Sequence, residues 1–344
     1  MGSFLHMEIL SCVFVIIGVI IGAGFASGKE IYTFFFVYGK YGILGIVVSI
    51  CIIGYLIYKT LKIVKEYDIN NYDEFLDVIL GKVKTKNIDV KIIVDFIVNV
   101  FLLITFFVMC AGFSAYFNQE FGINQFATSI ILAVLCYFIL NKNINGIFIL
   151  NSILMPMIII ILLALGVKVF SLNLDLKEMS VNGKWILNAL LYASYNSITL
   201  ISILIPMKKY IKTKKDILKI VCLSSLIIVI LAFVIFMLLL SINADIREIE
   251  LPSVYAANSF GLIYKYLYGG IILGAILTTA ISSAYGFLNN ISKTRKNYKK
   301  VNFLICFMSV SMCLFGFSNL VNLLYPIFGF LGLIQLTLIA RKNL

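Results

Sequence analysis

The residues that could do chemistry are few and fall in three stretches. The first is IGVIIGAGFASGKE, residues 17–30, which places Gly18, Gly22, Gly24 and Gly28 in an apolar run and closes on Lys29 and Glu30. Each glycine inside a helix costs about 1 kcal/mol relative to alanine. Unwound backbone at membrane depth is tolerated only where it is buried in protein or lines a cavity. Such a break exposes carbonyls that can coordinate a cation and half-helix N-termini that favour an anionic group, which together suit a zwitterion and a co-transported ion. Close helix packing is the competing reading, because Gly18-x-x-x-Gly22 and Gly24-x-x-x-Gly28 both have the spacing of helix contacts. The second stretch, LLYASYNSITLIS, is polar at Ser194, Asn196, Ser197 and Thr199 where a lipid-facing helix would be apolar. The third, LGAILTTAISSAYGFLNN, puts Ala275, Thr278 and Thr279 on one helical face, with Ser282 and Ser283 one turn on. Hard cations take such oxygen ligands. A hydroxyl can equally return its hydrogen bond to the carbonyl one turn back.

Other chemistries lack their parts. His6 is the single histidine, which removes His-based zinc sites and Ser-His-Asp catalysis. The seven cysteines are scattered singly with no CxxC pair, and read as small buried hydrophobes. No Walker A sequence is present. An intramembrane enzyme would need paired carboxylates or a nucleophile with its base, and the lone Glu30 provides neither. An ionisable residue inside a span is a functional candidate by default. Glu30 could bind a substrate amine, gate a vestibule or carry a proton; alternatively Lys29 and Glu30 form a solvated, outward-facing pair.

The elements that must position these residues are membrane helices. Of 344 residues, 62% are hydrophobic and 13% charged, and mean hydropathy is +1.05, which excludes a soluble enzyme. Ten segments reach spanning length, at about 9–37, 40–63, 91–117, 124–141, 146–169, 185–206, 216–241, 258–290, 300–316 and 319–340. The first lacks a basic leader and a small-residue cleavage site, so it reads as a retained span. The net charge of +12 is topological: lysines concentrate in the connections after segments 2, 4, 6 and 8, which orients both termini inward and removes nucleic acid as a partner. Two connections, NNYDEFLDVILG (70–81) and ELPSVYAANSFG (250–261), carry the signals of short helices. Each follows the second segment of a five-segment half, as an inverted repeat would place it.

The stretch GAGFASGKEIYTFF, followed by VYGKYGILG, resembles the YkvI-like family of bacterial membrane proteins, which is related to the amino acid-polyamine-organocation superfamily of LeuT-type transporters. The resemblance implies an all-α fold of ten spans in a 5+5 inverted repeat, with spans 1 and 6 broken and substrate between spans 1, 3, 6 and 8. It implies a sodium site between the carbonyls of Gly18 and Ile21 and a hydroxyl pair on span 8, drawn from Thr278, Thr279, Ser282 and Ser283. It assigns backbone at Ala23 and Gly24, and from Ala193 to Ser197, to the charged ends of the substrate. Phe25, Tyr192, Tyr195, Phe106 and Phe113 would shape the pocket, with Ser27, Glu30, Ser194 and Asn196 as its polar members.

The expectation is one transmembrane domain over 1–344, with repeats at about 9–169 and 185–340, in a bacterial inner membrane. It would move a small zwitterionic or amine-containing solute inward by alternating access. Sodium would be the coupling ion, with no other cofactor, and solute and lipid the partners. A receptor of the same fold, binding an amino acid without net transport, is the alternative.

Overall fold

The computed structural model describes residues 2–80, 90–141, 145–172, 183–292 and 294–342, and every regular element among them is helical. The first apolar segment is divided into α1 (Gly2–Ile20), α2 (Ala23–Ala26) and α3 (Lys29–Phe34). The remaining long helices are α4 (Lys40–Glu66), α6 (Val90–Phe121), α7 (Gln125–Asn141), α8 (Asn145–Phe170), α9 (Lys184–Leu204), α10 (Lys214–Leu240), α12 (Leu262–Ile291), α13 (Arg295–Met312) and α14 (Phe317–Arg341). Among the described residues, six helices are long and apolar enough to cross a membrane. Large apolar side chains such as Phe96, Ile160, Val167 and Phe307 stand on the outer surface, where only lipid would accept so much apolar area. The chain is a multi-pass membrane protein.

The two structured connections form as their sequences require. α5 (Tyr72–Leu80) starts after Asn71, whose side-chain oxygen accepts from the Glu74 N–H at 2.8 Å while Glu74 reaches back to the Asn70 N–H at 2.7 Å. The predicted stop at Gly81 lies outside the described residues. α11 (Pro252–Asn258) opens on its proline and is followed by Gly261 at φ +117°.

Lipid supplies no hydrophobic drive for helix association, so backbone approach and fit decide the packing. α12 lies along α6, where Gly269 receives Tyr116, and along α8, where Gly274 receives Leu154. α14 lies along α9, with Gly329 and Gly332 directly against the backbone of Leu191 and Ser194. α4 packs between α9 and α10, and α1 packs on α8, α9 and α10. The divided segment is thereby enclosed on every side: α2 meets α12, while α3 meets α9, α10 and α14.

Candidate functional site

The site is built around the break between α1 and α2. The helical ladder runs to the Ile21 N–H, which bonds the Ile17 carbonyl at 2.7 Å, and resumes where the Ala26 N–H bonds the Gly22 carbonyl at 3.0 Å. Gly22 itself is extended, at φ −74° and ψ −177°. Among the described residues, the carbonyls of Gly18 in α1 and of Ile21 just beyond it accept no backbone hydrogen bond. Ala23, Gly24, Phe25 and Ser27 are all buried. Ser27 Oγ donates to the Gly24 carbonyl at 2.7 Å, so its hydroxyl is committed to the turn.

Glu30, in the first turn of α3, is 4% exposed. The Tyr195 hydroxyl donates to its carboxylate, and the other carboxylate oxygen lies so close to Gly24 that any Cβ there would overlap it. Among the described residues no basic side chain forms an ion pair with Glu30. A buried charge without a counter-charge costs roughly several kcal/mol. Around it stands an aromatic cluster. Tyr195 stacks on Phe34 at 5.7 Å, meets Tyr192 edge-on at 5.4 Å and lies 5.2 Å from Tyr325. The buried Tyr192 hydroxyl makes no hydrogen bond among the described residues.

Of the predicted hydroxyl pairs, Thr279 is the one brought to the break, its Oγ1 3.9 Å from the point where a Cβ on Gly22 would stand. Thr278 is buried and bonds the Ala275 carbonyl at 3.2 Å, and Ser283 bonds the Thr279 carbonyl at 2.8 Å. Ser282 is exposed. Neutral oxygens from the α1 turn and α12 are the donors a sodium ion takes. No cluster of three or more His, Cys, Asp or Glu side chains able to hold a metal occurs among the described residues.

Segment 6 differs from expectation. α9 runs unbroken from Lys184 to Leu204 and only then tightens into a 3-10 turn, Ile205–Tyr210, at Pro206. Its polar residues serve their own helix: Ser194 bonds the Leu190 carbonyl at 2.7 Å, Asn196 the Tyr192 carbonyl at 2.9 Å and Ser197 the Ser194 carbonyl at 2.6 Å. Backbone from Ala193 to Ser197 is therefore spent within the helix, and α9 contributes the side chains of Tyr192 and Tyr195. Phe106 and Phe113 of α6 pair with Phe107 and Phe117 of their own helix rather than with the cluster at Glu30. Sequence reasoning missed Phe34, in the TFF of the first segment, and Tyr325, which precedes the Pro326 inside α14.

Lys29 and Glu30 are neither solvated nor paired with each other. Lys29 is fully buried, and its ammonium donates to the carbonyls of Ile246 and Ile249 at 3.4 and 3.3 Å and lies 5.0 Å from the Tyr32 ring. These carbonyls belong to the connection leading into α11, which covers one end of the site. The Ser253 N–H bonds the Ser27 carbonyl at 2.9 Å. Gln119 brackets Leu251 through its N–H at 3.0 Å and its carbonyl at 3.3 Å. Glu250 accepts from the Ser318 N–H at 2.6 Å, at the start of α14.

Over 333 residues the chain is 26% identical to the membrane protein YkvI of Bacillus subtilis (strain 168), covering 93% of this chain and 92% of that protein. No protein-family model matches the chain. MhsT, solved in complex with L-phenylalanine, superposes with a TM-score of 0.60 at 16% identity, over 96% of this chain and 88% of its own. A Na+-coupled sialic acid symporter in a substrate-bound outward-open state gives 0.58 at 12% identity, over 95% and 76%. The chain has the LeuT-type fold that these transporters share, and its structural neighbours are transporters rather than enzymes.

Proposed function

We propose that this protein is a secondary transporter that moves a small amine-containing or zwitterionic solute by alternating access, coupled to sodium. The observation that carries this reading is the interrupted first segment, met by four helices, with Thr279 of α12 beside Gly22 and the carboxylate of Glu30 beside Gly24. An ion and a charged solute then share one break, so that each stabilises the geometry the other needs. Similarity of fold to sodium-coupled symporters supports the reading, and the mechanism needs no covalent chemistry.

Alternating access in this fold calls for ten spans in two inverted halves, both termini on the cytoplasmic side, and substrate at their interface. Support for the repeat comes from the packing pairs, which exchange when each span is traded for the one five places on. α1 against α8 answers α9 against α14, and α4 against α9 answers α10 against α1. α8 against α12 answers α14 against α6, and α7 against α12 answers α13 against α6. α5 and α11 occupy matching places after the second span of each half.

The test is uptake of radiolabelled amines and amino acids into proteoliposomes under an inward sodium gradient, with potassium as the control. Accumulation that requires the sodium gradient supports the reading. Saturable binding to the purified protein with no accumulation under any ion gradient overturns it in favour of a receptor.

A further inference from the structure

The placement of Glu30 bears on which solute the site takes. Three observations converge. Its carboxylate fills the space beside Gly24 that a side chain at that position would need, so the anionic place at the break is already taken by the protein. Its one hydrogen-bond donor among the described residues is the neutral hydroxyl of Tyr195. The neighbouring cation, Lys29, is turned away and held by the Ile246 and Ile249 carbonyls. The carboxylate therefore stands against uncharged groups, among them aromatic rings, whose faces attract cations.

Resting on the transporter reading, we infer that the solute is a protonated amine without a free carboxylate, and that Glu30 supplies the carboxylate such a solute lacks. The ammonium bonds Glu30 in competition with the Tyr195 hydroxyl and lies against the rings of Tyr195, Phe34 and Tyr325. A zwitterionic amino acid would bring a second carboxylate into the low-dielectric space beside Gly24, where like charges cannot both be held. Discrimination between an amino acid and its decarboxylated counterpart is thus set by one side chain.

The experiment measures binding to the purified full-length protein in sodium, using matched probes that differ by the carboxylate alone: phenethylamine and phenylalanine, isoamylamine and leucine, putrescine and ornithine. At least one amine should bind tenfold or more tightly than its amino acid. E30Q should weaken that amine by tenfold or more while leaving the elution profile and the ligand-free melting temperature near wild type. E30D, which keeps the charge on a shorter arm, should recover part of the loss. The inference is overturned if amino acids bind as tightly as their amines, if no probe binds, or if E30Q leaves amine binding unchanged. Counterflow of the same probes in proteoliposomes separates the two claims. Amine binding without exchange sinks the transporter reading and leaves the selectivity of Glu30 standing. Exchange of amino acids in preference to amines does the reverse.

Discussion

At position 24 the carboxylate of Glu30 rests where a Cβ would be. Gly24→Ala should leave the fold intact, since the end of a side chain can yield, yet move the carboxylate off its place and weaken solute binding about tenfold, a cost of roughly 1.4 kcal/mol. Gly24→Leu should abolish binding, as a thermal-shift titration would show. Thr279 is the hydroxyl at the break, so Thr279→Ala should raise the sodium concentration for half-maximal uptake several-fold, whereas Ser282→Ala, at an exposed position, should not change it. A larger sodium effect from Ser282 would move the ion site. The glycines and Glu30 were legible in the sequence because a glycine run and a charge are both anomalies in an apolar segment. Phe34 and Tyr325 were not, because an aromatic residue in a membrane helix carries no mark of what it faces.

At the scale of elements, the cover formed by the 246–258 region and the short helices after the break depend on each other. Gly28 has φ +82°, and a Cβ there would run into Ser253. Gly28→Ala should therefore cost about 1–2 kcal/mol from backbone conformation alone, measured as a fall in melting temperature. Lys29→Met keeps the volume and removes the two bonds to Ile246 and Ile249. Amide exchange across 246–258 should then accelerate while that of α6 and α12 stays at wild type. Within the same connection the side chain of Arg247, with its backbone N–H, holds the Asp245 carboxyl down from its ordinary 3.8 to about 2. The contribution of that contact is present above 3.8 and is lost as pH falls toward 2, so an acid titration of loop exchange should show a step in that range. The all-helical, membrane-embedded character could be read from hydropathy, and both short connecting helices from their caps. The continuity of α9 could not: polar residues that bond their own helix look, in sequence, the same as polar residues that interrupt it. Gly329 and Gly332 pack directly against the backbone of α9, and this long-range contact has no local signature.

At the scale of the whole molecule, a membrane-embedded LeuT-type fold carries a break beside a buried carboxylate. The composition alone placed the chain in lipid, and the glycine motif with the ten-segment plan pointed to the fold; the solute needed the geometry of Glu30. The site joins elements far apart in sequence: α2 and α3 come together with Tyr195 of α9, Thr279 of α12 and Tyr325 of α14. In the proposed 5+5 repeat these belong to opposite halves, so alternating access would open or remake their contacts. The most direct measurement is counterflow exchange of a labelled amine in sodium-loaded proteoliposomes, comparing wild type with Glu30→Gln. The account predicts sodium-dependent exchange in the wild type and its loss in the variant. Wild-type protein that binds the amine but never exchanges it, or a variant that exchanges it at full rate, would contradict it.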